Sequence, residues 1–201
     1  MIVNSKIDKL FENFNFIEGS DPLIMGGRIP PALFKELSEL VDECRDIKNH
    51  ELACLKQHFN IGMNSYQVSI PSPSLENSFM FSFLNYLGEM YTIKQHNVPH
   101  HTVFRKFRLR KHHGHYDGYD FWVNFCNEGD KNDIHSHSGT LSGVIYFDNP
   151  DYVPTHFENG IQCAGNQGDI LIFPSSLKHY VNKLETNKER ITLSFNLDRV
   201  Q

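Results

Sequence analysis

Twelve histidines occur in 201 residues, and three of them have a spacing that could hold a metal. His135 and His137 form an HxH pair. Alternation along a strand sends both imidazoles to one face, which in a jelly roll is the inside. His179 comes after G-D-I-L-I-F-P (168–174), where a glycine turn feeds an apolar run that stops at Pro174. If its strand lies beside the strand of the pair, three nitrogens can occupy one face of an octahedron. Positions then stay open for a ligand and for oxygen, as oxygen-activating iron requires. The HxH pair alone is a weak signal among so many histidines. His113 and His115 form another, in a glycine-rich loop with His112, and read as solvated.

Arg190 opens R-I-T-L-S-F-N (190–196). Alternation buries Ile191, Leu193 and Phe195 on one side and leaves Arg190, Thr192 and Ser194 on the other. A guanidinium there can grip a carboxylate in a bidentate fork, with the hydroxyls assisting. Asp133, two residues before His135, points to the same face and reads as a partner for an imidazole N–H more than as a ligand. Trp122 and Asn124 in D-F-W-V-N-F-C-N also share a direction. For Asn124 a cross-strand hydrogen bond competes with a role in the site, and for Tyr146 core packing competes with pocket lining.

The elements that must position these groups fall in two textures. P-P-A-L-F-K-E-L-S-E-L-V-D-E-C-R-D-I (30–47) has Leu33, Phe34, Leu37, Leu40 and Val41 at helical spacing behind a proline suited to the first turn. A second helix is predicted over 74–93, with Leu75, Phe79, Phe81, Phe83, Leu84 and Leu87 as a core-facing stripe. From about residue 104 short β-type runs follow one another between Gly, Asn, Asp and Pro: 119–127, 133–137, 141–148, 155–163, 169–174, 178–184 and 190–198. Such near-even spacing predicts a sandwich or jelly roll. One domain, 1–201, is expected, with a helical layer over about 1–100 on the outer face of a β-core over about 101–201.

Composition sets the outer bounds. Aromatic residues at 12% and charged residues at 21% suit a folded globular chain and exclude a disordered one. A net charge of −5 repels nucleic acid and anionic membranes. The local run Arg105, Lys106, Arg108, Arg110, Lys111 alternates with Phe104, Phe107 and Leu109 and reads as a solvated strand face. Cys44, Cys54, Cys126 and Cys163 lack CxxC spacing and read as free, mostly buried thiols of a reducing compartment. No apolar run reaches the length of a membrane span, and the N-terminus lacks the pattern of a signal peptide. A cytoplasmic location is expected.

The stretches H-S-H-S-G-T-L-S-G-V-I-Y-F (135–147), G-D-I-L-I-F-P-S-S-L-K-H (168–179) and E-R-I-T-L-S-F-N (189–196) resemble the 2-oxoglutarate/Fe(II)-dependent oxygenases related to prolyl hydroxylases, over the last 85 residues or so. The resemblance implies a double-stranded β-helix, Fe(II) as the metal and 2-oxoglutarate as cosubstrate. In that family an HxD pair and a distal His ligate iron, and an Arg on the final strand binds the C5 carboxylate of 2-oxoglutarate. Carried over, His135, His137 and His179 are the ligands and catalytic centre, Arg190 is the anchor, Thr192 assists it, and Asn124 touches the cosubstrate. His137 stands where the family has Asp, which leaves one more positive charge at the metal.

The function this implies is hydroxylation, or another oxidation, of an unidentified substrate with an oxidisable C–H bond, with O2 consumed. Two other readings remain open. One is a cupin-like metal dioxygenase or isomerase without 2-oxoglutarate, although the glutamate expected after the HxH pair is missing. The other is a metal- or ligand-binding module without turnover. The oligomeric state is open, a homodimer included.

Overall fold

The computed structural model describes residues 12–54, 65–76, 78–98, 106–112 and 118–200. Its strands are β1 (Asn15–Phe16), β2 (Met25–Arg28), β3 (Tyr66–Ser69), β4 (Lys106–Leu109), β5 (Lys111–His112), β6 (Gly118–Tyr119), β7 (Phe121–Cys126), β8 (Asn132–His135), β9 (Leu141–Asp148), β10 (Thr155–Phe157), β11 (Gln162–Cys163), β12 (Asp169–Pro174), β13 (His179–Val181) and β14 (Arg190–Val200). The helices are α1 (Pro31–Cys54), α2 (Ser72–Glu76) and α3 (Phe79–His96).

The larger sheet runs β1-β2-β12-β9-β14-β7-β3, with β4 also paired to β14, and the smaller runs β11-β10-β13-β8. Strand pairing is antiparallel throughout both. Phe157 of the small sheet meets Phe173 of the large one edge-on at 4.9 Å, inside a cluster that also holds Val144, Tyr146 and Leu171. The two sheets thus close on each other as a double-stranded β-helix. The strand β9, L-S-G-V-I-Y-F-D, is buried on both faces over its first six residues, as a central strand between two layers must be.

The odd-numbered residues Phe121, Val123, Phe125, Ile145, Leu193 and Phe195 share one core cluster with Leu37, Val41, Leu84 and Leu87. By strand alternation the helices therefore cover the face of the large sheet opposite to Trp122, Asn124, Thr192 and Ser194. At the start of α3, Ser78 caps Phe81 N–H at 3.1 Å, and the Glu36 carboxylate of α1 accepts from Phe79 and Met80 N–H at 2.7 and 3.2 Å. A carboxylate at a helix N-terminus satisfies open donors and complements the dipole. At the other end of α1, Arg45 and Lys48 hold Glu189 at 2.7 and 2.6 Å, which fastens the beginning of β14.

Three predictions change in detail. The second helix divides into α2 and α3, and Phe79, placed in a core stripe, is 79% exposed because it is the first residue of α3. The half before residue 100 also supplies β1, β2 and β3 to the large sheet. The sequence of β2, M-G-G-R, lacks the alternation that marks a strand, and Y-Q-V-S of β3 alternates over four residues only. The basic run does behave as a half-buried strand: Lys106 and Arg108 are exposed, Phe107 and Leu109 buried. Arg105 lies outside the described residues.

Candidate functional site

The strands β8 and β13 are neighbours, with His135 directly opposite His179. In each ring Nδ1 faces a backbone carbonyl two residues earlier: Asp133 O for His135 at 2.7 Å and Leu177 O for His179 at 3.1 Å. A carbonyl only accepts, so both Nδ1 atoms carry the proton and both Nε2 atoms carry the lone pair. His137 arrives differently. The strand β8 ends at His135, so strand alternation does not aim His137 as the spacing predicts. Instead its N–H donates to Ser175 O at 2.9 Å, which seats it on the far side of the cluster.

Ring centroids lie 4.4 Å apart for His135 and His179, 4.9 Å for His135 and His137, and 5.2 Å for His137 and His179. One ring nitrogen of each lies within 4.8 Å of the others, the one such cluster of potential ligands among the described residues. Burial, then the charge of His135, lowers the His179 pKa to about 3, against the pull of Leu177 O. The same two causes lower His137 to about 4, with the Asp120 carboxylate opposing them. Both rings are therefore neutral near pH 7 and offer lone pairs, the form a transition metal binds.

Arg190, the first residue of β14, is 1% exposed. Its Nε donates to Asn149 Oδ1 at 3.1 Å, and its Cζ stands 5.7 Å from the centroid of the Tyr146 ring. Its Nη2 is the single buried side-chain polar atom without a partner among the described residues. Arg190 lines the same cavity as the three histidines, Thr192 and Asn124. An unsatisfied donor on a buried cation costs more than on a neutral group, and a carboxylate is its natural complement. The neutral nitrogens and this orphaned donor together fit Fe(II) with a bound oxo acid.

Trp122 Nε1 donates to Asn124 Oδ1 at 3.0 Å, and Asn124 Nδ2 reaches Ser194 Oγ at 3.0 Å and Thr192 Oγ1 at 3.4 Å. Asn124 thus fronts the cavity while its Nδ2 serves cross-strand bonds to β14 and its Oδ1 a bond within its own strand. The Trp122 ring lies 5.5 Å from His137. Asp133 departs from expectation: its carboxylate, 69% exposed, pairs with Lys131 at 2.6 Å, and only its main-chain oxygen serves His135. Tyr146 is fully buried; its hydroxyl donates to Cys163 O at 2.7 Å, and burial pushes its pKa up to about 12. Cys44 and Cys126 are buried free thiols and Cys163 is half-buried, while the side chain of Cys54 lies outside the described residues. His113 and His115 lie outside the described residues, and of His112 only the backbone is described.

Sequence reasoning missed Asn149 and a polar chain beside His137. In that chain Ser142 Oγ donates to Asn196 Oδ1 at 2.6 Å and lies 2.9 Å from Ser175 Oγ. Asn196 Nδ2 donates to Asp120 Oδ2 at 3.1 Å. Asn149 precedes Pro150 and reads as a turn residue. Asn196 carried a signal in retrospect, since it continues the Thr192 and Ser194 face of β14.

Residues 153–196 match the model of a family described as "Putative 2OG-Fe(II) oxygenase". The match covers well under half of the chain and includes His179 and Arg190. It bears out the resemblance read from the sequence, and with the histidine cluster it supports Fe(II) and 2-oxoglutarate as metal and cosubstrate. No curated protein matches the chain. Among solved structures, the chain is similar to SnoK, a non-haem alpha-ketoglutarate-dependent carbocyclase from nogalamycin biosynthesis, at 8% identity and a TM-score of 0.51, covering 96% of this chain and 83% of that one. It is also similar to HygX from Streptomyces hygroscopicus, solved with nickel, 2-oxoglutarate and hygromycin B bound, at 10% identity and a TM-score of 0.50, covering 96% and 86%. At such identities the likeness concerns the fold. Among the described residues no helix is long and apolar enough to cross a membrane.

Proposed function

We propose that this chain is an Fe(II)- and 2-oxoglutarate-dependent oxygenase that hydroxylates or otherwise oxidises a substrate C–H bond, with His135, His137 and His179 holding the metal and Arg190 anchoring the cosubstrate. The observation that carries this reading is the Arg190 guanidinium, buried, with Nη2 unpartnered, on the wall of the cavity on which three imidazoles converge.

When bound, iron with 2-oxoglutarate supplies the reduction of O2 coupled to decarboxylation, so that 2-oxoglutarate, O2 and a C–H bond yield succinate, CO2 and an alcohol. The protein's part is binding, orientation and dryness. Arg190 gives charge-assisted N–H donors to the carboxylate remote from the metal. Thr192 stands two residues further along the same face and adds a hydroxyl. The carbonyls of Asp133 and Leu177 keep the Nε2 lone pairs of His135 and His179 turned to the metal. Trp122 and Phe173, whose rings lie 5.5 Å from His137 and 4.9 Å from His179, pack against the imidazoles and help to orient them.

The test is an anaerobic titration of the protein with Fe(II) and 2-oxoglutarate. A metal-to-ligand charge-transfer band is expected for the wild type, and Arg190→Ala at the same 2-oxoglutarate concentration is expected to lose it. No band, or a band indifferent to Arg190→Ala, contradicts the reading.

A further inference from the structure

Metal-ligating imidazoles bring no charge, so His135, His137 and His179 leave a divalent cation its full charge, whereas a set that includes a carboxylate offsets part of it. The cavity on which they converge already holds another cation, the Arg190 guanidinium. We infer that His137, as a neutral third ligand, makes retention of the metal conditional on the dianionic cosubstrate: metal and 2-oxoglutarate load as a pair, each tightening the other by a margin that a carboxylate in the ligand set would reduce. This rests on the metal reading under Proposed function and adds to it how occupancy of the site is regulated.

Arg190 is 1% exposed and its Nη2 has no partner, while the bond from Nε goes to the neutral carboxamide of Asn149. A buried cation without a counter-ion is costly. Among the described residues that line the cavity with it, none carries a carboxylate. The acidic residues close by in the chain are committed elsewhere. Glu189, just before Arg190, faces the helical side of the large sheet, where Arg45 and Lys48 hold it at 2.7 and 2.6 Å. Asp133 pairs with Lys131 at 2.6 Å. Asp120 accepts from Asn196 Nδ2 at 3.1 Å and has Arg110 as its own cation at 3.6 Å.

A divalent metal and Arg190 together bring three positive charges to this cavity, and 2-oxoglutarate brings two negative ones. A carboxylate among the ligands would lower the first figure to two. One unit of charge inside a protein cavity shifts a binding equilibrium by on the order of 10–100-fold at the effective dielectric of such sites. The extra unit strengthens the repulsion between the metal centre and Arg190 when cosubstrate is absent, and the attraction to the dianion when it is present. Linkage requires the same factor to appear in the affinity for 2-oxoglutarate. Release of the dianion loosens the metal in turn, so the loaded state follows the supply of cosubstrate.

The experiment is a Co(II) titration of the metal-free protein against a chelating competitor, with and without saturating 2-oxoglutarate. The readout is the ratio of the two Co(II) affinities, and circular dichroism confirms the fold of each variant. His137→Asp and His137→Asn introduce side chains of one shape and different charge, so the comparison separates charge from geometry. The ratio is expected to be at least about tenfold smaller for His137→Asp than for His137→Asn. Ser194 offers the same comparison without touching the ligand set. It lines the cavity and accepts from Asn124 Nδ2 at 3.0 Å, a bond that a carboxylate or carboxamide oxygen also accepts. Ser194→Asp is expected to give a ratio about threefold or more below that of Ser194→Asn, a smaller effect because the position is only half-buried. Equal ratios within either pair overturn the inference. If a His137 variant takes up no Co(II), the Ser194 pair decides alone. Wild-type protein that takes up no Co(II), or that binds Co(II) but not 2-oxoglutarate, defeats the reading under Proposed function itself. Wild type that binds both, with no difference between the paired variants, defeats only the role of charge.

Discussion

Arg190 Nε donates to Asn149 Oδ1 at 3.1 Å, and the orientation of that carboxamide is fixed from behind: Asn149 Nδ2 donates to Val153 O at 3.2 Å and to Gly165 O at 2.9 Å. The guanidinium is thereby pinned on its Nε edge, with the Tyr146 ring beside it, and open at Nη2. The segment after Asn149 turns sharply, with Asp151 and Tyr152 at φ 59 and 52. Two consecutive non-glycine residues in the left-handed region cost on the order of 1 kcal/mol or more each. The surrounding structure tolerates this where Asn149 meets Arg190.

Asn149→Ala removes the bond that orients Arg190. A hydrogen bond to a charged group contributes about 1.5–3 kcal/mol, roughly 10–100-fold in a binding constant. Calorimetric titration of 2-oxoglutarate into Co(II)-loaded protein should show its affinity falling by that order while Co(II) affinity is unchanged. Unaltered 2-oxoglutarate binding would detach Asn149 from the site.

Gly143 sits in β9 where a side chain has no room: a Cβ there would lie 2.1 Å from Phe195 Cζ and 2.8 Å from Leu171 O. The carbonyl belongs to the neighbouring strand and cannot swing aside. Gly143→Ala is therefore expected to cost about 1–3 kcal/mol, a drop in Tm of several degrees at this chain length. Thermal denaturation followed by circular dichroism reads it, and an unshifted Tm would show that β9 and β14 separate more easily than their packing implies.

Most of this architecture was legible in the sequence, and the exceptions share a physical cause. Residues 141–148, 169–174 and 190–198 fold as strands where apolar content and turn residues marked them, and the face shared by Arg190, Thr192 and Ser194 follows from a period of two. His179 opposite His135 depended on strand order, which spacing only suggested. His137 converges for a reason the spacing did not contain, because alternation ends with β8 and a carbonyl from Ser175 takes over. Asp133 was read by its side chain, whereas its main-chain oxygen does the work. The short strands before residue 70 carry too little pattern to stand alone, M-G-G-R none and Y-Q-V-S only four alternating residues, and they form against the edges of β12 and β7. Asn149, before Pro150, looks like an ordinary turn residue until the chain is folded.

The imidazoles of His137 and His179 titrate at about 4 and about 3, against 6.5 for an ordinary histidine. Above pH 6.5 the folded and unfolded chains both hold these rings neutral, and they do not affect stability. Below it the unfolded chain binds protons that the folded one refuses until about pH 4 and 3, so the metal-free protein loses stability as pH falls through that window. Comparing Tm at pH 7.5 and pH 5 for chelator-treated wild type and His179→Gln should give a smaller acid-side drop in the variant. Equal drops would mean that His179 is not held neutral by burial.

The most direct test of the central claim is a crystal structure of the protein grown anaerobically with Fe(II) and 2-oxoglutarate, with anomalous data at the iron edge. The account requires one anomalous peak between His135, His137 and His179, and a 2-oxoglutarate carboxylate against Nη2 of Arg190. A peak elsewhere, imidazoles turned away from it, or a cosubstrate bound without touching Arg190 would contradict it.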